Sequence, residues 1–91
     1  MVTGIVLVNV ERPLLRQAVD GIVNLPGVTE VYTVAGEYDL VVMIRVASNQ
    51  ELADVVATRM THDIPGIQYT KTLITLNVDA KIDLAKVFRL E

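Results

Sequence analysis

No cysteine occurs anywhere in the 91 residues, which removes disulfides and thiolate metal ligation from consideration. Tryptophan is absent and phenylalanine occurs once, although 52% of the residues are apolar. The apolar content is therefore aliphatic. Basic charge is also scarce: 8 Lys and Arg stand against 11 Asp and Glu, for a net charge of −3. A nucleic-acid binder needs clustered positive charge to displace counterions from phosphates. Here Lys and Arg are scattered, which predicts no direct contact with nucleic acid. The aliphatic run Ile5–Val8 falls far short of the roughly 20 residues that cross a bilayer. Met1-Val2-Thr3-Gly4 has neither the charged region nor the cleavage site of a signal peptide. The expectation is a cytoplasmic, soluble protein.

What is present is a regular alternation of elements. Val2 to Val10, rich in β-branched residues, reads as a strand buried on both faces. Glu11-Arg12-Pro13 opens a helix with Pro13 in its first turn. Leu14, Leu15, Ala18, Val19, Ile22 and Val23 form that helix's apolar stripe, and Leu25-Pro26-Gly27 stops it. Val28 to Ala35 and Tyr38 to Val46 read as two strands joined by a short loop at Gly36-Glu37. Ser48-Asn49-Gln50-Glu51 is a capping-box pattern opening a second helix, whose buried stripe is Leu52, Val55, Val56 and Met60. Ile64-Pro65-Gly66 ends it, and Ile67 to Val78 is a fourth strand. Residues 81–91 form a short tail with Leu84, Val87 and Phe88 at helical spacing, packing on its own chain or on a neighbour.

The order strand, helix, strand, strand, helix, strand contains an internal echo. Leu25-Pro26-Gly27-Val28 is answered by Ile64-Pro65-Gly66-Ile67, and Thr33 by Thr72. Two split βαβ units of this kind interleave into a four-stranded antiparallel sheet with both helices on one face. The fold class predicted is α+β, ferredoxin-like βαββαβ. The first and third strands should be central, since they carry apolar residues on both faces, whereas the outer strands carry Glu30, Lys71, Thr75 and Asn77.

Two helices cover one side of such a sheet only. A small domain hides this much aliphatic surface with difficulty, and an exposed apolar patch marks an interaction surface. Burying about 500 Å² per subunit at about 25 cal/mol per Å² is worth on the order of 10 kcal/mol before association costs. A homo-oligomer built sheet to sheet is the expectation, with the C-terminal tail folded over the sheet as the alternative.

Catalytic groups are few. His62, the single histidine, sits in Thr61-His62-Asp63 at a helix end, where a solvated residue suits the helix dipole. Ser48 is accounted for by capping. No His cluster has metal-ligand spacing, no Gly-rich phosphate loop follows a strand, and Asp79 and Asp83 read as a solvated tail before they read as an acid–base pair. No enzyme activity, metal or cofactor is expected.

The richest local signal is Ala35-Gly36-Glu37-Tyr38-Asp39-Leu40. In one reading Gly36 supplies positive φ for a turn and Asp39 bonds the loop's own N–H groups. In the other, Gly36 lets a ligand approach backbone N–H groups and Asp39 offers a carboxylate to an ammonium. Thr70 and Thr72, on one face of the last strand, add hydroxyls, though strand propensity alone explains threonine there.

Together, Leu25–Tyr32, Ala35–Leu40, Ile64–Ile67, Thr70 and Thr72 resemble the RAM domain, the C-terminal effector domain of Lrp/AsnC transcription regulators. The resemblance runs to about Val78, and residues 1–80 are taken as the RAM-type ligand-binding domain. It implies sheet-to-sheet dimers, their assembly into rings of eight or ten subunits, and an amino acid effector bound between dimers. Residue by residue, it implies an effector loop of Gly36, Tyr38 and Asp39, with Thr70 and Thr72 lining the pocket. Full-length regulators of the family carry an N-terminal helix-turn-helix, whereas this sequence begins at the first strand. It therefore resembles the stand-alone form of the domain, with full-length Lrp/AsnC regulators as prospective partners.

Two other classes share the topology. A dimeric α+β barrel enzyme would want a His, Tyr or carboxylate near the sheet centre, where this sequence offers aliphatics, Met43, Asn9 and Arg45. An effector-free oligomerisation module would show no response to any amino acid.

Overall fold

The computed structural model of the protein describes residues 1–89. Strand β1 (Val2–Val10) leads through a 3₁₀ turn (Arg12–Leu14) into helix α1 (Leu15–Val23). Strands β2 (Val28–Thr33) and β3 (Leu40–Val46) follow, then a second helical stretch over residues 49–63, strand β4 (Ile67–Ile74) and a last turn of helix. The spatial order β2-β3-β1-β4 is antiparallel throughout. β1 and β3 are the central strands, and the fold is the α+β, ferredoxin-like βαββαβ arrangement expected from the sequence.

Strand alternation divides the residues between two faces. Val6, Val8 and Val10 of β1 and Leu40, Val42, Ile44 and Val46 of β3 lie buried under the helices. Ala18 and Ile22 from α1, and Leu52, Val55 and Met60 from the second helical stretch, close the core over them. Ile5, Leu7, Val41 and Met43 point to the opposite, helix-free face and are only half-buried.

Both helices start differently in detail from their sequence signals. Pro13 falls in the 3₁₀ turn ahead of α1, a first-turn position that needs no N–H. In the second, the Glu51 N–H donates to Ser48 Oγ (3.2 Å), while Glu51 Oε2 accepts from the Ala47 N–H (3.4 Å), one residue before the cap. That helix is α over α2 (Asn49–Ala53), π-helical over Asp54–Met60, and α again over α3 (Thr61–Asp63). Val55 and Met60 are both buried and lie five residues apart, the spacing that an i→i+5 turn stacks on one side.

Three strands are shorter than the sequence pattern implies. β2 stops at Thr33 rather than Ala35 and β3 starts at Leu40 rather than Tyr38, because the chain between them bows out into a loop closed by the Val34 N–H donating to Asp39 O (3.0 Å). β4 ends at Ile74 rather than Val78. Its neighbour β1 begins at Val2, so after the Thr75 N–H donates to Thr3 O (3.0 Å) no partner strand remains for the ladder. The Pro-Gly turns are tight for a packing reason: Gly27 has φ +85°, and a Cβ there would come within 2.5 Å of Val46 Cγ1. The chain then runs to α4 (Leu84–Val87), capped by Asp83, whose Oδ1 accepts from the Lys86 N–H (3.2 Å).

Candidate functional site

The β2–β3 loop is pinned to the end of β1 by Asp39. The Asp39 N–H donates to Val8 O (3.0 Å), and the Val10 N–H donates to Asp39 Oδ2 (2.8 Å). The carboxylate therefore bonds a neighbouring strand rather than the loop's own N–H groups. This anchoring opens a cavity of about 320 Å³ between the loop and the start of α1, lined by Val10, Arg12, Leu15, Val34, Gly36 and Asp39 among others. Gly36 has φ +142°, and nothing lies within 4 Å of where its Cβ would be. The backbone there is open to an approaching group.

Only part of the predicted set meets at this cavity. Gly36 and Asp39 line it. Tyr38 turns away and stacks on Tyr69, with ring centroids 6.3 Å apart and planes at 24°. Thr70 and Thr72 pair with Val8 and Val6 across β1, so they share the helix-side face of the sheet, one strand removed from the loop. The helices leave that side of β4 largely uncovered: Thr70 is half-buried and Thr72 is exposed. Within one chain the threonines and the loop are separate features.

Arg12 is the lining residue that sequence reasoning missed. It stands in the helix-opening tripeptide Glu11-Arg12-Pro13 and carries no motif of its own. The usable signal was topological: pairing β1 antiparallel to β3 places the end of β1 beside the start of β3. Arg12 and Asp39 thereby put a guanidinium and a carboxylate on one small cavity whose other walls are largely aliphatic.

A second polar cluster occupies the helix-free face. Arg45 Nη1 donates to Glu30 Oε1 (2.6 Å) and to Thr29 Oγ1, and the Phe88 ring lies over the guanidinium with its centroid 4.4 Å away. Thr29 and Glu30 reach Arg45 together because β2 carries a bulge at that point. A larger hollow of about 560 Å³ lies on the helix side at the far end of the sheet, walled by Pro26, Gly27, Val46 and Val55 and rimmed by Glu51 and Asp54. It contains none of the predicted site residues, and Ser48 and Glu51 on its rim are engaged in capping α2.

Among the described residues, the remaining titratable side chains serve separate local ends. His62 is exposed on α3. Asp79 accepts from Asn77 Nδ2 (3.3 Å) while Asp83 caps α4, so the two carboxylates serve different local ends. Among the described residues no group of three or more His, Asp or Glu side chains is arranged to hold a metal ion. No described helix is long and apolar enough to cross a membrane.

The four-stranded antiparallel sheet with helices on one face and an open cavity beside the β2–β3 loop defines an α+β domain of ferredoxin-like type. Comparison with known proteins names the family: residues 3–79 match the Lrp/AsnC ligand binding domain, and the chain belongs to it. The HTH-type transcriptional regulator FL11 of Pyrococcus furiosus is 31% identical over 77 residues, covering 85% of this chain and 50% of that protein. The chain spans half or less of the length of the curated regulators it matches. The crystal structure of TTHA0845 from Thermus thermophilus superposes with a TM-score of 0.82 at 33% identity, covering 89% of this chain and 100% of that one. The feast or famine regulatory protein of M. tuberculosis complexed with L-methionine has the same fold (TM-score 0.73, 24% identity), with 89% of this chain and 54% of that one covered. The family's place among transcription regulators agrees with the non-enzymatic reading.

Proposed function

We propose that the domain formed by residues 1–80 binds a free amino acid at a subunit interface and reports it to transcription regulators of its family in the cytoplasm. The observation that carries this reading is the pairing of Arg12 and Asp39 on one cavity of about 320 Å³. An amino acid is a zwitterion, and the two side chains offer it one charge of each sign. In this reading the α-ammonium meets Asp39, while the α-carboxylate meets Arg12 and the loop N–H groups around Gly36 and Tyr38. The aliphatic walls at Val10, Leu15 and Val34 suit a small apolar side chain, and the related M. tuberculosis regulator is complexed with L-methionine.

The cavity is one half of the proposed site. Thr70 and Thr72, on the open side of an edge strand and separated from the loop by β1, act in this reading across a contact between subunits. The subunits pair through their helix-free sheet faces, and the dimers close into a ring of eight or ten, alone or mixed with full-length Lrp/AsnC regulators.

Isothermal calorimetry with the twenty amino acids tests the proposal. One or a few should bind with a stoichiometry near one per chain, and Asp39→Ala should abolish the heat. Absence of heat from every amino acid in the wild type, or binding unchanged in Asp39→Ala, overturns it and favours an effector-free oligomerisation module.

A further inference from the structure

Beyond β4 the chain crosses the sheet as an arm, and that arm has an apolar surface of its own. Thr75 is tied to β1 by the Oγ1 hydroxyl and the N–H, each donating to Thr3 O at 3.0 Å. Phe88 then lies over Arg45 of β3. Thr3 and Arg45 are register partners on the helix-free face, and Thr3 is only 5% exposed. The arm therefore covers one end of that face and leaves Ile5, Leu7, Val41 and Met43 to its side. Between its two attachment points it presents Leu76 at 99% exposure, Ile82 at 59% and Val87 at 55%.

Leu76 is almost wholly exposed and Ile82 and Val87 keep more than half of their surface in water within one chain, and the neighbouring sheet face alone is small. Four strands about 4.8 Å apart, rising about 3.3 Å per residue, give a face on the order of 500 Å². A stable interface buries about 800 Å² per partner. The sheet is short of that, and the arm lies continuous with it along the same side of the molecule. We propose that residues 75–89 form the outer part of the self-association surface: Phe88, held on Arg45, sets the arm in place, and Leu76, Ile82 and Val87 are buried against a second copy of this chain. The inference rests on the sheet-to-sheet pairing proposed above and extends it to a segment mostly outside the family-matched residues 3–79.

The three side chains are exposed, so changing them leaves the fold of the protomer intact. Sedimentation analysis would compare the wild type, the triple variant Leu76→Ser, Ile82→Ser, Val87→Ser, the control Val23→Ser on the outside of α1, and Leu7→Lys in the open sheet face. The expected result is a wild type assembled from dimers, an unchanged control, and a dissociation constant for the dimer step raised at least tenfold in both the triple variant and Leu7→Lys. A triple variant that dimerises within twofold of the wild type overturns the role of the arm and leaves the sheet pairing standing. Loss of dimer in the triple variant with Leu7→Lys unaffected overturns the sheet pairing instead, and a wild type that stays monomeric at micromolar concentration overturns both. Because the chain has no cysteine, Ile82→Cys provides a unique thiol whose maleimide labelling should slow across the dimerisation range. A rate independent of protein concentration would count against the arm.

Discussion

Asp39 serves two ends at once, and they can be separated. Its Oδ2 accepts from the Val10 N–H at 2.8 Å and fixes the loop, while its charge is the part proposed to meet an ammonium. Asn keeps an acceptor oxygen for Val10 and removes the charge. Asp39→Asn should therefore leave the melting temperature within a few degrees of the wild type while amino acid binding falls at least tenfold. Asp39→Ala should lose binding and also about 1–3 kcal/mol of stability, because the Val10 N–H loses its partner. If urea denaturation shows Asp39→Asn as unstable as Asp39→Ala, the anchoring depends on charge and the separation fails. Gly27 is a purely structural counterpart. With φ +85° and Val46 Cγ1 2.5 Å from the position of its missing Cβ, Gly27→Ala should cost about 2 kcal/mol or more, with no specific effect on binding at the distant loop. At this scale the sequence exposed Gly36 and Asp39 as a motif but hid Arg12, whose place on the cavity comes from strand pairing, and it did not foretell that the Tyr38 ring stacks on Tyr69.

The elements followed from local chemistry wherever one residue decides an end. Ser48 opens the second helix as expected, with the Glu51 N–H on its Oγ at 3.2 Å. Ser48→Ala should lower stability by about 1 kcal/mol in a urea titration with unchanged slope; no change would mean that Glu51 and packing hold the helix start alone. Strand identity and order were legible from β-branched runs and the repeated Pro-Gly turn, since a half-buried strand and an amphipathic helix differ in period. The strand ends were less legible. Val34 and Ala35 have strand-like sequence, but their partners across the ladder are diverted when Asp39 bonds Val8 and Val10. The π-helical segment Asp54–Met60 was also hidden, because Leu52, Val56 and Met60 satisfy an α-helical stripe equally well and nothing local marks the wider turn. The Arg45–Glu30 pair escaped for a related reason: it depends on the bulge in β2, and register irregularities leave little trace in composition.

For the molecule as a whole, the aliphatic surplus noted in the sequence is distributed unevenly. The helix side is closed over a core in which Val6, Val8, Leu40, Val42 and Ile44 have no exposure, while the other side keeps Leu73 at 44% and Tyr69 at 52%. The proposed effector site lies where chains meet, so ligand binding and assembly are linked: a ligand that binds the assembled form in preference to the unfolded chain stabilises it by RT ln(1 + [L]/Kd). At a hundredfold excess over Kd this is about 2.7 kcal/mol, and for a domain of this size each kcal/mol moves the midpoint by roughly 4–8 °C. A cognate amino acid should therefore raise the melting temperature by about 10–20 °C at that excess, with a shift that grows as the logarithm of ligand concentration. The same amino acid should leave Asp39→Asn almost unmoved. A shift of equal size in Asp39→Asn would place the ligand elsewhere, with the larger hollow beside α2 the next location to examine. If the shift in the wild type is the same whether the protein is held monomeric by Leu7→Lys or allowed to assemble, binding is complete within one chain and the interface takes no part in it.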